Sequence, residues 1–415
     1  MTHLKGSATF QSTQPQNPLP PVFGARRRSL YEGGPLVSLV GFGTYRVGYS
    51  AALGAPESGQ ALEQALRKGI NLIDTSSNYG NGQSELLIGK TLAKLSGENV
   101  VSRESLVVVS KGGYIQGNNL ELAQKREQEG TPFPEITKFG DGVWHCIHPE
   151  FLADQLDRTL ARLQLETLDV FLIHNPEYML KKFEMDNASP EHATQIFYDR
   201  IAKSFEFLET CVAAGKINAY GVSSNTMGYA NEDYSAVSLT RLVEIAKRIS
   251  PQNHFKVVQF PLNWIEVAPV ALPVNDEGNS TVDFARANGM GVLLNRPFNA
   301  MYNNGLIRLT RPTVPAGAQL DSDAQKGLAN WTKLALDLEA LGKKHLENKI
   351  GYEDAPLSQI VLATLMWQPG VTSVLCGARK IAYLQDLEEA CARPAIVNAS
   401  AVLASIYDDL EFLRD

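Results

Sequence analysis

The stretch "IDTSSNYGNGQSE", Ile73 to Glu85, sets one carboxylate, Asp74, five positions ahead of one phenol, Tyr79. A phenol titrates near pH ~10, so it gives up a proton near neutrality only with help. A cation beside it favours phenolate, and a carboxylate can hold that cation in place. Lys111 closes the apolar run "LVVVSK" and His174 closes "LDVFLIH". With Asp74 holding Lys111, Lys111 biasing Tyr79 and His174 donating to an oxygen between them, the four can deliver a proton to an oxygen that is gaining negative charge. No side chain supplies hydride, so carbonyl reduction by this set implies a reduced nicotinamide. Each residue alone is equally well explained as a structural partner or as packing. Their convergence carries the reading.

That convergence rests on the elements that end in these residues. Eight short β-branched runs recur along the chain: Ser38–Thr44, Asn71–Thr75, Leu106–Lys111, Leu168–His174, Ala219–Ser224, Lys256–Phe260, Gly291–Pro297 and Thr372–Ala378. Near-continuous apolar runs mean strands covered on both faces, as in a parallel sheet. Between them lie stretches of helical period, such as Phe151–Leu165 with Leu152, Leu156, Leu160 and Leu163 on one face. Gly69, Gly215 and Gly289 close such stretches before the next strand. Eight βα units, with no GxGxxG after any strand, predict an α/β chain folded as a (β/α)8 TIM barrel with long loops at its C-terminal face. Functional groups gather at that face. Reading only the strand ends gives Thr44, Asp74, Lys111, His174, Ser223, Gln259, Asn295 with Arg296, and Gly377. Extra length falls at 112–149, 175–198 and 298–330, with a further segment at 397–415. Residues 1–35 read as a flexible tail and 36–415 as the barrel domain.

Composition bounds the partners. The chain has 415 residues, 44% hydrophobic and 20% charged, with a net charge of -7, which argues for a soluble globular protein and against nucleic-acid or anionic-membrane surfaces. No apolar stretch approaches the ~18 residues that span a bilayer. Four scattered cysteines without CxxC read as reduced thiols in a cytoplasmic compartment. The leading residues lack acids and carry Ser, Thr, Gln and Pro, which also suits an organellar transit segment. Oligomeric state is open.

The quoted stretch resembles the Asp-Thr-Ala-x-x-Tyr-Gly signature of the aldo-keto reductases, with Ser76 in place of Ala. "VVVSK" is similar to the strand ending in that family's lysine, and "LDVFLIHNP" to the strand ending in His-x-Pro. The resemblance runs from about Leu36 to about Ala390 and implies a catalytic tetrad of Asp74, Tyr79 as acid and base, Lys111 and His174. It also implies cofactor positions. "GVSSN" is similar to Gly-Val-Ser-Asn, which holds the nicotinamide carboxamide: Ser223 transfers, and the asparagine's place falls on Ser224 or Asn225. Gln259 matches the carboxamide-binding glutamine, and Gly43 with Thr44 the first-strand close approach. Asn295-Arg296 stand where many members carry Tyr-Ser, so the stacking aromatic is replaced, and Arg296 is placed to reach the pyrophosphate. "LCGARKIAYLQDLEEA" resembles the closing cofactor motif. Gly377 to Lys380 would cradle the adenosine ribose, and Arg379 with Lys380 would face a 2′-phosphate. Two cations against a phosphate dianion favour NADP(H), with NAD(H) the alternative. Asp386 takes the place of that motif's glutamate.

"WHCIHP" offers His145, Cys146 and His148, yet it lacks a second cluster, so no metal is expected. The 112–149 stretch reads as a lid without regular structure, with Phe133, Phe139 and Trp144 available to close an apolar pocket. Gly80-Asn81-Gly82 reads as a tight turn into a helix starting near Ser84, not as a phosphate loop. The expected activity is NAD(P)H-dependent reduction of an aldehyde or ketone to an alcohol, or the reverse, on a small-molecule substrate. The alternatives are a cofactor-binding regulatory barrel with little turnover and a metal-free lyase on the same fold.

Overall fold

A computed structural model describes residues 3–15, 22–48, 55–230, 232–274, 278–303, 305–314, 321–347 and 350–410. Eight strands form a closed parallel barrel: β1 (Val40–Gly43), β2 (Leu72–Asp74), β3 (Val107–Gly112), β4 (Leu168–His174), β5 (Ile217–Ser223), β6 (Phe255–Pro261), β7 (Gly291–Asn295) and β8 (Ser373–Cys376). Each pairs with the next in sequence, and β8 pairs with β1 to close the ring. The barrel expected from eight apolar runs is therefore present, with boundaries within two or three residues of those read from sequence.

Alternation along each strand divides the core in two. Leu72, Val107, Val109, Val170, Leu172, Ala219, Val257, Leu293 and Leu375 form one buried cluster. Their neighbours Ile73, Val108, Phe171, Ile173, Val258, Val292 and Val374 belong to a second, larger cluster shared with the helices. The first set fills the barrel and the second glues the outer ring to it, which explains why these runs are apolar throughout. The helix Pro149–Leu163 shows how the ring is punctuated. His148 Nδ1 caps the amide of Glu150, Pro149 supplies a fixed φ at the first turn, and Gln164 ends the helix in the left-handed region.

The leading segment corrects an expectation. Its described residues are docked against the barrel. Leu4 bridges Leu165, and the Ala8 amide donates to buried Asp169 at 2.7 Å. Arg27–Ser29 pair antiparallel with Leu36–Ser38, and Leu30 and Val37 cap the inner cluster. A sequence poor in periodicity looked like a tail, but an open barrel end exposes apolar side chains that need covering, and this segment covers them.

The long loops are also more regular than expected. The 112–149 stretch holds a helix, Asn118–Gln128, and a three-stranded sheet of Tyr114–Ile115, Thr137–Gly140 and Val143–His145. The 175–198 stretch is mostly helical, in Tyr178–Met185 and the start of Pro190–Ala213. After β7 an antiparallel hairpin, Asn299–Tyr302 with Gly305–Arg308, precedes a 24-residue helix, Ser322–His345. The terminal segment carries the helix Ala399–Asp408. No helix among the described residues is long and apolar enough to cross a membrane.

Candidate active site

The ends of β2, β3 and β4 bring Asp74, Lys111 and His174 to one face, and the turn after β2 brings Tyr79. That turn needs three successive left-handed residues, Gly80 (φ 55°), Asn81 (φ 56°) and Gly82 (φ 83°), before the helix Gln83–Gly97 begins. Glycine and asparagine adopt such angles at low cost, so "GNG" is a turn that aims Tyr79 back over the barrel.

Lys111 is the hub. Its Nζ donates to Asp74 Oδ2 at 2.8 Å, to the Thr75 carbonyl at 2.8 Å and to the Tyr79 hydroxyl at 3.3 Å. It is fully buried, and burial alone would push its pKa down. The Asp74 carboxylate and Tyr79 more than reverse this and leave it raised, so it remains a cation. Tyr79 departs from expectation in net effect. Burial pushes its pKa up; Lys111 pulls it down but only partly offsets burial, and the phenol stays above its ordinary value. Burial and the nearby Lys111 and His145 hold His174 well below the usual imidazole range, so its ring is neutral.

The neighbouring strands tie into the same network. Gln259 donates to Asp74 Oδ1 at 2.8 Å and accepts from Ser223 Oγ at 3.1 Å and from Asn295 Nδ2 at 3.4 Å. Asn225 donates its amide to Glu177 Oε1 at 2.9 Å. Gly43 lies beside the backbone of Cys376, and Thr44 donates its hydroxyl to the Asp74 carbonyl at 2.8 Å. Arg379 and Lys380 precede the helix Ile381–Ala392, and no atom comes within 4 Å of where a Gly377 Cβ would stand. Three residues are placed otherwise than their expected roles require. Arg296, at φ 53°, donates to Glu266 Oε1 at 2.6 Å, so its guanidinium is engaged within the chain. Asp386 accepts from Gln359 Nε2 at 3.0 Å in a contact between helices. Phe133 is turned away from the site, packed on Phe151 in the lid's own small core.

Sequence reading missed several groups. Ser76 Oγ lies 3.0 Å from His174 Nδ1. Glu177, next to the "HNP" run, is a fully buried carboxyl whose pKa is raised by burial, with Oε2 lacking a partner. Tyr114 stacks edge-on to His174 at 4.8 Å between centroids and accepts from Asn175 Nδ2 at 2.8 Å. Tyr45 meets Tyr79 edge-on at 5.3 Å, and Phe139 meets Tyr178 at 4.8 Å. Position beside a signature residue was the only sequence signal for Ser76 and Glu177. Phe139 reads from sequence as a lid aromatic, whereas Tyr45 and Tyr114 carry no signal beyond following the strand-end residues Thr44 and Lys111. The His145 and His148 cluster has structural employment: His145 Nε2 donates to the His174 carbonyl at 2.6 Å, and burial lowers its pKa to about 4. Cys146 Sγ faces the Pro134 carbonyl at 3.3 Å. Among the described residues no group of three or more His, Cys, Asp or Glu is arranged to hold a metal ion.

The site fits a nicotinamide cofactor on one structural observation in particular. Asn295 Oδ1 is buried without a partner at the edge of the Ser223–Gln259 network, an acceptor awaiting a donor.

A closed eight-stranded barrel with a Lys-Asp-Tyr-His set at its mouth defines the class of fold and site. A profile of the Aldo/keto reductase family matches residues 39–400, and the chain belongs to that family. It is 32% identical over 215 residues to Aldo-keto reductase family 4 member C11 of Arabidopsis thaliana, covering 52% of this chain and 51% of that one. It is 28% identical over 193 residues to an NADH-specific methylglyoxal reductase of Escherichia coli, covering 45% and 48%. The chain thus spans about half the length of the curated relatives it matches. Among solved structures, a glycerol dehydrogenase from Gluconobacter oxydans superposes with TM-score 0.57 at 20% identity, over 90% of this chain and 92% of that one. That likeness concerns the fold.

Proposed function

We propose that the chain is an NAD(P)H-dependent oxidoreductase that reduces a small aldehyde or ketone to an alcohol, or runs the reverse. The observation that supports this most directly is Lys111 Nζ in contact with both Asp74 and the Tyr79 hydroxyl at the barrel mouth. In this reading Tyr79 gives its proton to the carbonyl oxygen, Lys111 steadies the negative charge left on the phenol, and Asp74 with Gln259 holds Lys111 in place. His174 orients the substrate oxygen. A reduced nicotinamide supplies the hydride when bound. Ser223, Asn225, Gln259 and Asn295 would hold its carboxamide end beside Gly43 and Thr44. Gly377, Arg379 and Lys380 would hold the adenosine end.

The two cations ahead of the helix Ile381–Ala392 favour NADP(H), since a helix N-terminus adds partial positive charge to theirs. NAD(H) is the alternative, and relatives include one described as NADH-specific. Relatives described as a 6-dehydroglucose reductase and a methylglyoxal reductase support small oxygen-rich carbonyl compounds as the substrate class. Hydride transfer from NADPH to a panel of aldehydes and ketones tests the reading. Tyr79→Phe is expected to lower kcat by about 10²–10⁴ while NADPH still binds; an unchanged kcat removes Tyr79 as the acid. The non-aromatic Asn295 at the nicotinamide and the engaged Asp386 favour a second reading, a regulatory barrel. Tight NADPH binding with no turnover on the panel would select it.

A further inference from the structure

Ser76 is fully buried and its hydroxyl has one proton to give, yet three acceptors lie in reach: Asn78 Oδ1 at 2.7 Å, His174 Nδ1 at 3.0 Å and the Lys111 carbonyl at 3.3 Å. The shortest contact takes the proton. With Asn78 Oδ1 facing Ser76, Nδ1 of the neutral His174 ring carries its own hydrogen and donates to Ser76. Asn78 Nδ2 in turn donates to Gln116 Oε1 at 3.2 Å. Gln116 precedes the helix Asn118–Gln128 of the lid, and lid residue His145 donates to the His174 carbonyl. Both ends of His174 are therefore held by the lid, the ring through a chain of three side chains and the backbone directly.

We propose that Ser76 is a positioning residue for His174, the middle of a relay Gln116–Asn78–Ser76 through which the lid sets which imidazole nitrogen carries the proton. The inference rests on the proposed role of His174 in orienting the substrate oxygen. With hydrogen on Nδ1, Nε2 is left as an acceptor, suited to an alcohol hydroxyl. For a carbonyl substrate the relay runs the other way. Both amides turn end for end, which their near-identical shape allows, and Ser76 donates to Nδ1; the Nδ1 proton passes to water and Nε2 takes one from water, so that Nε2–H can donate to the carbonyl oxygen. One proton leaves the ring and one returns, so the histidine is neutral in both forms and serves both directions of the reaction.

The test uses the full chain without cofactor, labelled with ¹⁵N-histidine, with the His174 signals identified by their loss in His174→Asn. Long-range ¹H–¹⁵N correlations report which nitrogen is protonated. The wild type is expected to show hydrogen on Nδ1, Ser76→Ala to shift toward the Nε2–H form, and Ser76→Thr to restore the wild-type pattern. Gln116→Ala, which leaves the hydroxyl in place, is expected to shift the same signals less. Ser76→Ala is also expected to lower kcat/KM roughly five- to tenfold while nicotinamide affinity is kept. Wild-type His174 already in the Nε2–H form, or identical spectra for wild type and Ser76→Ala, overturns the proposal. Should Ser76→Ala not fold, an unchanged spectrum in Gln116→Ala overturns it instead. Failure to bind any nicotinamide would remove the proposed oxidoreductase function, yet the His174 signals would still report on the relay.

Discussion

Lys111 Nζ contacts Asp74, the Thr75 carbonyl and the Tyr79 hydroxyl together, so removing it separates two effects on the phenol. Burial raises the Tyr79 pKa and the lysine cation lowers it. The proposed carbonyl reduction takes its proton from the Tyr79 phenol, so its rate is expected to be flat below the Tyr79 pKa and to fall above it. Lys111→Met removes the lowering influence, and the alkaline limb should move to higher pH as kcat drops; a limb moving to lower pH would contradict the role given to the cation. The same change strands Asp74 in the interior, at a cost of about 3–5 kcal/mol of stability by chemical unfolding. Adding Asp74→Asn should recover part of it. The four residues of this set were legible in sequence because each sits at or just after a strand end, and strand ends in a parallel barrel share one face. The bond from Gln259 to Asp74 was not legible, since 185 positions separate them and only ring closure brings them together.

The lid and the helix Ile381–Ala392 are the elements to which the proposed function assigns substrate and cofactor binding. Gly117 begins the lid helix at φ 51°, and a Cβ there would lie 1.8 Å from Asn81 Oδ1 in the turn that carries Tyr79. Gly117→Ala therefore combines a left-handed backbone penalty of about 1–2 kcal/mol with a displaced lid. A lower melting temperature and a raised KM are expected together; a loss of stability with KM unchanged would separate the lid from substrate binding. At the other element, replacing Arg379 and Lys380 together by Ala should weaken NADPH binding about 10- to 100-fold and leave NADH binding nearly constant, measured by fluorescence titration. Equal effects on both cofactors would remove the 2′-phosphate assignment. The lid's existence was visible as excess length after β3, but its small sheet was not. Strands of two to four residues leave too short a pattern to read.

At the scale of the whole molecule, the leading segment is part of the barrel's stability. Leu30 is fully buried among inward-facing strand residues, and Arg28 donates to the Met366 carbonyl at 2.9 Å near the other end of the chain. Leu30→Ala should cost about 2–5 kcal/mol in urea unfolding, a loss no free tail would show. The buried Arg103–Asp169 pair adds to this closure. Asp169 accepts from Arg103 at 2.7 Å, from the Val108 amide at 2.8 Å and from Ala8, so one carboxylate joins β3, β4 and the leading segment.

Local pattern was enough for the barrel and its order, because apolar runs of strand length between amphipathic helices admit few parallel closures, and the convergence of Asp74, Tyr79, Lys111 and His174 follows from where those runs end. Distance along the chain hid the rest. The net rise in the Tyr79 pKa, the engagement of Arg296 by Glu266, the docking of the leading segment and the relay from Gln116 to His174 all depend on burial and on contacts between loops far apart in sequence. Desolvation and side-chain geometry exist only once the chain has closed, so they belong to the tertiary structure alone.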